Sequence, residues 1–285
     1  MIRRLAAPNS PTDSRKLAEP MTRSSSLPPP PPPPPSAPPP PPSAGHGRPP
    51  ETQFAPTCRW GLGDAFTSYG VFLLGSLVAG LIAFGAQGDT SRLAGAWLPF
   101  VVVLPPLLQI AHVRWVATTR GTGLNRDFGF ALKGRDFAIA AGLWLVAIAA
   151  ATASLWFLDV IGVGTPTAAV AELTEDSEGG RGITIWIIIL AVSAATIVPV
   201  AEELVFRGLW WSALLKRGMD ERLVLVVTAA VFAAAHLEPR RTLVLFAIGL
   251  ALGWGRMRTG RIAPSIIAHA IINGTGMVAL LTSLN

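Results

Sequence analysis

The sequence predicts an all-helical membrane protein: a polytopic bundle of about seven transmembrane helices, preceded by a disordered proline-rich tail. Charged residues make up only 14% of the chain, about half the share usual in soluble domains. The mean hydropathy is positive, and the apolar residues fall in long blocks. Because roughly 20 apolar residues suffice for a helix to cross the bilayer, these blocks are candidate spans.

Residues 1–60 are predicted to form a disordered cytoplasmic tail. Prolines run without interruption over residues 28–35 and 38–42, a composition that favours extended polyproline II rather than helix or sheet. The tail is either a semi-rigid spacer or a docking site for a proline-binding partner. Residues 1–27 lack the apolar region of a signal peptide, so the first apolar block is expected to target and anchor the protein.

Seven apolar blocks follow the tail. The predicted spans are 66–86, 93–117, 137–158, 183–215, 222–237, 242–256 and 262–283. The fourth block is too long for one straight crossing, so Pro199 is expected to kink it, or its end to lie along the interface. Pro105 and Pro106 are expected to bend the second span.

Loop charges predict the orientation. Seven spans place four basic segments on one side of the membrane, which the positive-inside rule makes the cytoplasmic side. These segments contain Arg48 and Arg59; Arg120, Arg126, Lys133 and Arg135; Lys216, Arg217 and Arg222; and Arg256, Arg258 and Arg261. The acidic segment 172–178 belongs outside, whereas Arg240 and Arg241 go against the rule. We expect a multi-pass protein of the inner or plasma membrane with a cytoplasmic N-terminus.

The same loop charges account for the net charge of +6, which therefore does not indicate a nucleic-acid partner. The single cysteine, Cys58, excludes an intrachain disulfide. A lone cysteine just before a span is expected to be inert, with lipidation as the alternative.

Three ionisable residues lie within the fourth apolar block. Glu202, Glu203 and Arg207 fall within a stretch of six residues, although each such residue costs about 2.5–3.5 kcal/mol at mid-bilayer. Glu203 and Arg207 are spaced i,i+4 and can pair on one helix face. Glu202 points about 100° away and can face a different cavity. A structural ion pair would explain Glu203 and Arg207 but not Glu202.

Two histidines and an asparagine lie in later blocks. His236 shares a helix face with Phe232, and His269 shares one with Asn273. A lone membrane histidine would more often be a hydrogen-bonded packing residue. Because two of the four histidines accompany two carboxylates and an aligned asparagine, a functional site is favoured.

These side chains could carry out hydrolysis. A carboxylate in a low-dielectric site is suited to act as a general base for water. One histidine could share that role or protonate the leaving amine, and a second histidine with an asparagine could stabilise an oxyanion. Zn²⁺ also accepts Glu and His ligands, here Glu202, His236 and His269. The spacing is not the His-Glu-x-x-His pattern, so it does not itself imply a metal.

The three motifs resemble those of the CPBP family, which includes CAAX prenyl protease 2 and bacteriocin-processing or immunity proteins. Its motifs are Glu-Glu-x-x-x-Arg, Phe-x-x-x-His and His-x-x-x-Asn on successive membrane helices. Here they occur in that order over about residues 183–284. Each motif alone is weak, but three in order within apolar helices form a strong signal.

The resemblance implies an intramembrane endopeptidase, a hydrolase with its active site in a conical cavity below the membrane surface. It implies that Glu202 activates water with His236, that Glu203 and Arg207 support it, and that His269 and Asn273 form the oxyanion site. Residues 61–170 are then N-terminal transmembrane helices and 171–285 the catalytic core.

Members of the family are often called metalloproteases, and a metal-free glutamate mechanism is also argued for them. We favour the metal-free mechanism, so no cofactor is expected, with zinc as the alternative. The expected partners are the lipid bilayer and a protein or peptide substrate reached at or within the membrane. The motifs carry the chemistry and not the substrate, so prenyl specificity is not transferred.

Two other functions fit parts of this pattern. Intramembrane Glu, Arg and His also mark proton-coupled carriers, but the chain has no evident internal repeat with paired broken helices. A catalytically silent immunity or scaffold protein could retain the fold, although the intact motifs argue against it.

Overall fold

A computed structural model of the protein describes residues 58–87, 95–164 and 183–283, and these residues contain helices and no strand. This confirms the all-helical prediction for that part of the chain. All of these residues fall in one compact unit, Arg48–Asn285. The proline-rich segment, the acidic segment 172–178 and the predicted boundary near residue 170 lie outside the described residues.

The first half of the described chain contains three long helices and a short one. They are α1 (Leu62–Gln87), α2 (Trp97–Thr119), α3 (Leu124–Phe128) and α4 (Gly134–Val160). The long helices lie within a few residues of the spans predicted from apolar block length.

The second half begins with a continuous helical stretch of three parts. Helix α5 (Ile185–Glu203) continues into a π-helical segment (Leu204–Trp210) and then α6 (Trp211–Leu215). After a short turn come α7 (Glu221–Ala235), a 3-10 turn (Pro239–Arg241), α8 (Thr242–Thr259) and α9 (Ala263–Ser283).

Five described stretches are long and apolar enough to cross a membrane, which supports the prediction of an integral membrane protein. They are α1, α2, α4, Ile185–Leu215 and Ala263–Thr282. Helices α7 and α8 do not belong to this set. With 15 residues, α7 extends about 22 Å, less than the roughly 30 Å hydrocarbon core. The predicted count of seven spans is therefore not confirmed.

Small residues allow the long helices to approach closely, as is usual in membrane bundles. In α1 the buried side includes Gly75, Ala79 and Ala83, whereas Leu74 and Leu81 on the other side are more than 60% exposed. A Cβ at Gly75 would lie 3.4 Å from the Pro105 Cα of α2. The exposed apolar side is the surface expected to contact lipid.

Three prolines lie beyond the first turn of a long helix, inside regular helical structure. Pro105 and Pro106 are within α2, and Pro199 is within α5, whose helical structure continues to Glu203. The irregularity in the long stretch falls after Glu203, in the π-helical segment. Such segments are rare and frequently occur at functional sites.

The basic segments converge on one end of the bundle. The Arg59 backbone amide donates to the Arg120 carbonyl (2.6 Å), and Lys216 Nζ donates to the Cys58 carbonyl (2.8 Å). Arg261 pairs with Asp136 at 2.6 Å. The segments assigned to one side from their charge thus lie together, while their cytoplasmic location remains a prediction.

Cys58 belongs to this cluster. Its side chain is buried, and its thiol donates to Asp127 Oδ1 at 3.5 Å. Burial, and then the negative charge of Asp127, raise the pKa of the Cys58 thiol. A buried thiol with a raised pKa is a poor nucleophile, which agrees with the prediction that Cys58 is inert.

Candidate active site

The two adjacent glutamates at the end of α5 lie in different surroundings. The Glu203 side chain is completely buried, whereas the Glu202 side chain is 20% exposed and lines two cavities. This confirms that Glu202 faces a cavity that Glu203 does not. A carboxylate at a cavity wall can contact a substrate or water, and the buried one can only act through its neighbours.

Glu203 and Arg207 form the ion pair that their spacing predicted. Arg207 Nη1 donates to Glu203 Oε1 at 2.7 Å, and Arg207 Nη2 donates to the Gly249 carbonyl of α8 at 2.9 Å. The guanidinium lies 4.6 Å from the Phe232 ring centroid. Arg207 therefore connects the π-helical segment to both α7 and α8.

His269 of α9 lies between the two glutamates. Its Nδ1 is 2.9 Å from Glu203 Oε1, and its Nε2 is 3.5 Å from Glu202 Oε2. The side chain is 4% exposed. Glu203 thus orients the imidazole so that the other ring nitrogen faces Glu202.

His236 follows the last residue of α7 and faces Glu202 from the opposite helix. Its Nδ1 is 2.8 Å from the Phe232 carbonyl oxygen one turn earlier, and its Nε2 is 3.8 Å from Glu202 Oε1. The ring also packs edge-on against Phe232, with centroids 4.6 Å apart.

These contacts determine the tautomer of each neutral histidine. A carbonyl oxygen only accepts, so His236 Nδ1 must carry the proton that bonds to Phe232. Glu203 Oε1, which accepts from Arg207 Nη1, also faces His269 Nδ1, so we place a proton on that nitrogen too. In both neutral rings Nε2 is then a bare acceptor facing Glu202. An Nε2–H on His269 therefore requires the imidazolium form.

Asn273 lies one turn beyond His269 on α9. Its Nδ2 donates to the Ala194 carbonyl of α5 at 3.0 Å, which holds α9 against α5. Helices α5, α7 and α9 together bring the three predicted motifs to one place.

Two cavities share Glu202 as part of their wall. The first, of about 230 Å³, is lined by Tyr69, Phe72, Leu73, Gln109, Glu202, Phe206, Ala235, His236 and Leu237. The second, of about 250 Å³, is lined by Phe72, Ser76, Val101, Val102, Pro105, Pro106, Gln109, Val198, Ala201 and Glu202. Except near Glu202, the linings are largely apolar.

Sequence reasoning missed Tyr69 of α1 and Gln109 of α2, which line these cavities. The Tyr69 hydroxyl donates to the Ala235 carbonyl at 2.9 Å, directly before His236. Leu237, which follows His236 and lines the first cavity, has a φ of +55°. This backbone conformation is uncommon for a residue with a bulky side chain. Tyr69 is the only tyrosine of the chain. A single tyrosine within the first apolar span was the sequence feature that could have indicated a role at the site.

Glu202, His236 and His269 are also the side chains predicted to hold zinc if a metal binds. Within the described ranges, no group of three or more His, Cys, Asp or Glu side chains is arranged to hold a metal ion. Glu202, His236 and His269 as positioned do not form a zinc site.

Comparison with known proteins gives one match. The family model described as "Type II CAAX prenyl endopeptidase Rce1-like" matches residues 184–275, from the start of α5 to two residues beyond Asn273. This confirms the resemblance inferred from the three motifs. Helices α1 to α4 lie outside the matched region. No curated protein and no solved structure matches the chain.

Proposed function

We propose that this chain, whose residues 184–275 carry an Rce1-like CAAX endopeptidase domain of the CPBP family, cleaves peptide bonds within the membrane using water activated by Glu202. The observation that carries the proposal is the convergence of two histidine Nε2 atoms on Glu202, within 3.8 Å, at the shared wall of two cavities.

The nucleophile is a water held between Glu202 and His236. Their 3.8 Å separation is too long for a direct hydrogen bond and short enough for both groups to contact one water. Glu202 is the general base, and the bare His236 Nε2 is the second acceptor for the water's protons. The water oxygen then attacks the substrate carbonyl carbon.

Collapse of the tetrahedral intermediate needs a proton on the leaving nitrogen. The proton taken from water returns from Glu202 or from His236 as the carbon–nitrogen bond breaks. The products are a new carboxyl end and a new amine, with no net consumption of protein groups. The backbone contact to Phe232 keeps His236 oriented through both steps.

His269 and Asn273 stabilise the oxyanion in this proposal. For His269 to donate from Nε2 it must be an imidazolium, because Nδ1–H is already directed at Glu203. Glu203 Oε1 lies 2.9 Å from His269 Nδ1, and Glu202 Oε2 lies 3.5 Å from His269 Nε2. Asn273 keeps one amide hydrogen beyond the one donated to Ala194, and this hydrogen is the second donor.

The substrate is a protein or peptide that enters from the bilayer. The apolar lining around Glu202 suits apolar side chains. Which proteins are cleaved, and whether they are prenylated, is decided by residues outside the three motifs.

The test is substitution of the proposed base. Glu202→Gln keeps the size of the side chain and removes its carboxylate, so kcat should fall about 10²–10⁴-fold. The assay uses purified protein in lipid nanodiscs with a library of internally quenched apolar peptides. Comparison of protein termini in cells carrying wild type or Glu202→Ala would then identify substrates. Normal cleavage by a correctly inserted Glu202→Gln protein would refute the assignment.

A further inference from the structure

The second cavity is bordered by two residues of α2 whose carbonyls lack the usual helical donor. Proline has no N–H, so Pro105 and Pro106 cannot bond the carbonyls four residues earlier, those of Val101 and Val102. At membrane depth no bulk water is present to replace a missing partner. Helix α2 therefore carries two consecutive carbonyls that have no donor four residues later.

These carbonyls lie at the cavity beside Glu202. Val101, Val102, Pro105 and Pro106 all line the cavity of about 250 Å³. A helical carbonyl points along the axis toward the residue four positions later. The positions at both ends of each missing bond border the cavity, so the acceptor oxygens lie at its wall.

Gln109, one turn beyond Pro105, adds a side-chain acceptor. Its side chain is buried, and its Nε2 donates to the Ser68 carbonyl at 3.3 Å. Because a carbonyl only accepts, this contact determines which amide atom is nitrogen. Within the described ranges Gln109 makes no other hydrogen bond, which leaves Oε1 as an acceptor. Gln109 borders both cavities together with Glu202.

Val101 and Gln109 carry two of the three acceptors and lie on one face of α2, and Val102 is the next position round the helix from Val101. Positions 101, 105 and 109 are separated by four residues each, so they share a face. Eight residues of helix extend about 12 Å, a length that about four residues of extended peptide cover at roughly 3.3 Å each. The spacing matches the main chain of a short extended segment.

We infer that this face of α2 binds the main chain of an extended peptide, with peptide N–H groups donating to the Val101 and Val102 carbonyls and to Gln109 Oε1. The inference deepens the proposed function, on which it rests, by assigning the substrate as an unwound apolar segment of about four residues. A lipid acyl chain fits less well, because it has no donor for these acceptors.

The neighbouring side chains complete this site. Phe72 of α1 and Val198 and Ala201 of α5 line the same cavity, so apolar peptide side chains can pack on both sides of the bound main chain. Glu202 lies at the boundary with the first cavity. A peptide bound along α2 would therefore present a carbonyl group to the proposed nucleophilic water.

The experiment measures binding separately from cleavage. A fluorescent apolar decapeptide is titrated into the Glu202→Gln protein in nanodiscs to measure its Kd. The titration is then repeated with a series of peptides in which one backbone N–H at a time is methylated. Methylation at two or three neighbouring positions should weaken binding about three- to tenfold each, the equivalent of one lost hydrogen bond. In Gln109→Leu, one of these positions should lose its sensitivity to methylation.

Replacing both prolines separates binding from stability. The double variant Pro105→Ala and Pro106→Ala provides helical N–H donors to the Val101 and Val102 carbonyls. It should bind the peptide about three- to tenfold more weakly and melt at the same or a higher temperature. Pro99→Ala is the matched control, because the first turn of a helix has no acceptor for that N–H. Its binding should be unchanged.

The outcomes distinguish the two proposals. Suppose that wild type cleaves peptides, but that neither peptide methylation nor the Gln109→Leu or double proline substitutions change the binding affinity. This inference is then wrong and the proposed function stands. If binding responds as expected but wild type cleaves nothing, the peptide site stands and the protease proposal falls. Absent binding, or binding insensitive to methylation and displaced by lipid, overturns the inference.

Discussion

Adjacent glutamates acquire different roles because they differ in what surrounds them. Glu203 has Arg207 and His269 within 2.9 Å and no exposed surface, so its charge is compensated locally. Among the described residues, Glu202 has ion-pair contacts within 4 Å with the two histidine Nε2 atoms, and it borders both cavities. The residue with the less compensated charge is the one available for chemistry on a substrate.

Removing the charge of Glu203 should mainly affect stability. Glu203→Gln leaves Arg207 buried without its ionic partner, and breaking a buried pair in this way costs about 3–5 kcal/mol. The melting temperature in detergent should drop markedly, as measured by intrinsic tryptophan fluorescence. Glu202→Gln is the matched control and should melt close to wild type. Equal melting of the two variants would contradict the structural role of Glu203.

The oxyanion and metal roles of the α9 residues make opposite predictions. As an oxyanion donor Asn273 acts on the transition state, so Asn273→Ala should lower kcat about 10²–10³-fold and change KM little. Activity should also persist after exhaustive chelation.

Elemental analysis of the purified protein provides the second measurement. Near-stoichiometric zinc that is lost in both His236→Ala and His269→Ala, together with activity, would rule out the metal-free mechanism. His112→Ala, which changes a histidine of α2 outside the site, is the control and should alter neither metal content nor activity.

At the scale of elements, the site depends on how closely α7 and α8 pack. The Gly249 carbonyl of α8 accepts from Arg207. A Cβ at Gly249 would lie 3.1 Å from the Ala229 Cα of α7, tighter than ordinary van der Waals contact. A glycine here brings α8 near enough for its backbone to contact Arg207 and holds α7, which ends at His236, in place.

Gly249→Ala should therefore separate α7 from α8. We expect a loss of about 1–3 kcal/mol in the free energy of unfolding, typical of overpacking, together with reduced cleavage because His236 moves relative to Glu202. Thermal melts and peptide cleavage measure the two effects. Gly80→Ala in α1 is the control, because a Cβ there meets no atom within 4 Å. It should be neutral or stabilising by up to about 1 kcal/mol, and an equal loss would contradict the packing argument.

At the scale of the whole molecule, the basic segments at one end of the bundle predict its orientation. Lys216, Arg120 and Arg261 all take part in contacts that gather these segments. Because basic residues near the ends of spans favour the cytoplasmic side, that end should face the cytoplasm.

Cysteine labelling in intact cells tests this orientation. On a Cys58→Ser background, an impermeant maleimide should label Ser177→Cys, in the acidic segment, and not Arg217→Cys. Permeabilised cells should label both, which controls for accessibility. Labelling of Arg217→Cys alone in intact cells would reverse the orientation. The serine at position 58 keeps a hydroxyl donor for Asp127, so the background should fold normally.

The amino-acid pattern determined the fold class and the limits of most helices, and it singled out the main residues of the candidate site. Block length and hydropathy are local properties of the sequence, so they predict the helices. The cost of burying charge in a bilayer distinguishes Glu202, Glu203 and Arg207 from their apolar neighbours in the sequence alone. The i,i+4 spacings of Glu203 with Arg207 and of His269 with Asn273 likewise follow from helix geometry alone.

Only the tertiary structure decided how the helices meet. Which ring nitrogen of His236 and His269 faces Glu202 depends on contacts to Phe232 and Glu203, 4 and 66 positions away in the chain. Tyr69 and Gln109 reach the site from α1 and α2, and no local pattern relates those helices to α5. The π-helical segment also could not be predicted, because it depends on packing around Arg207. Helix packing joins residues distant in sequence, and periodicity along one chain does not encode that pairing.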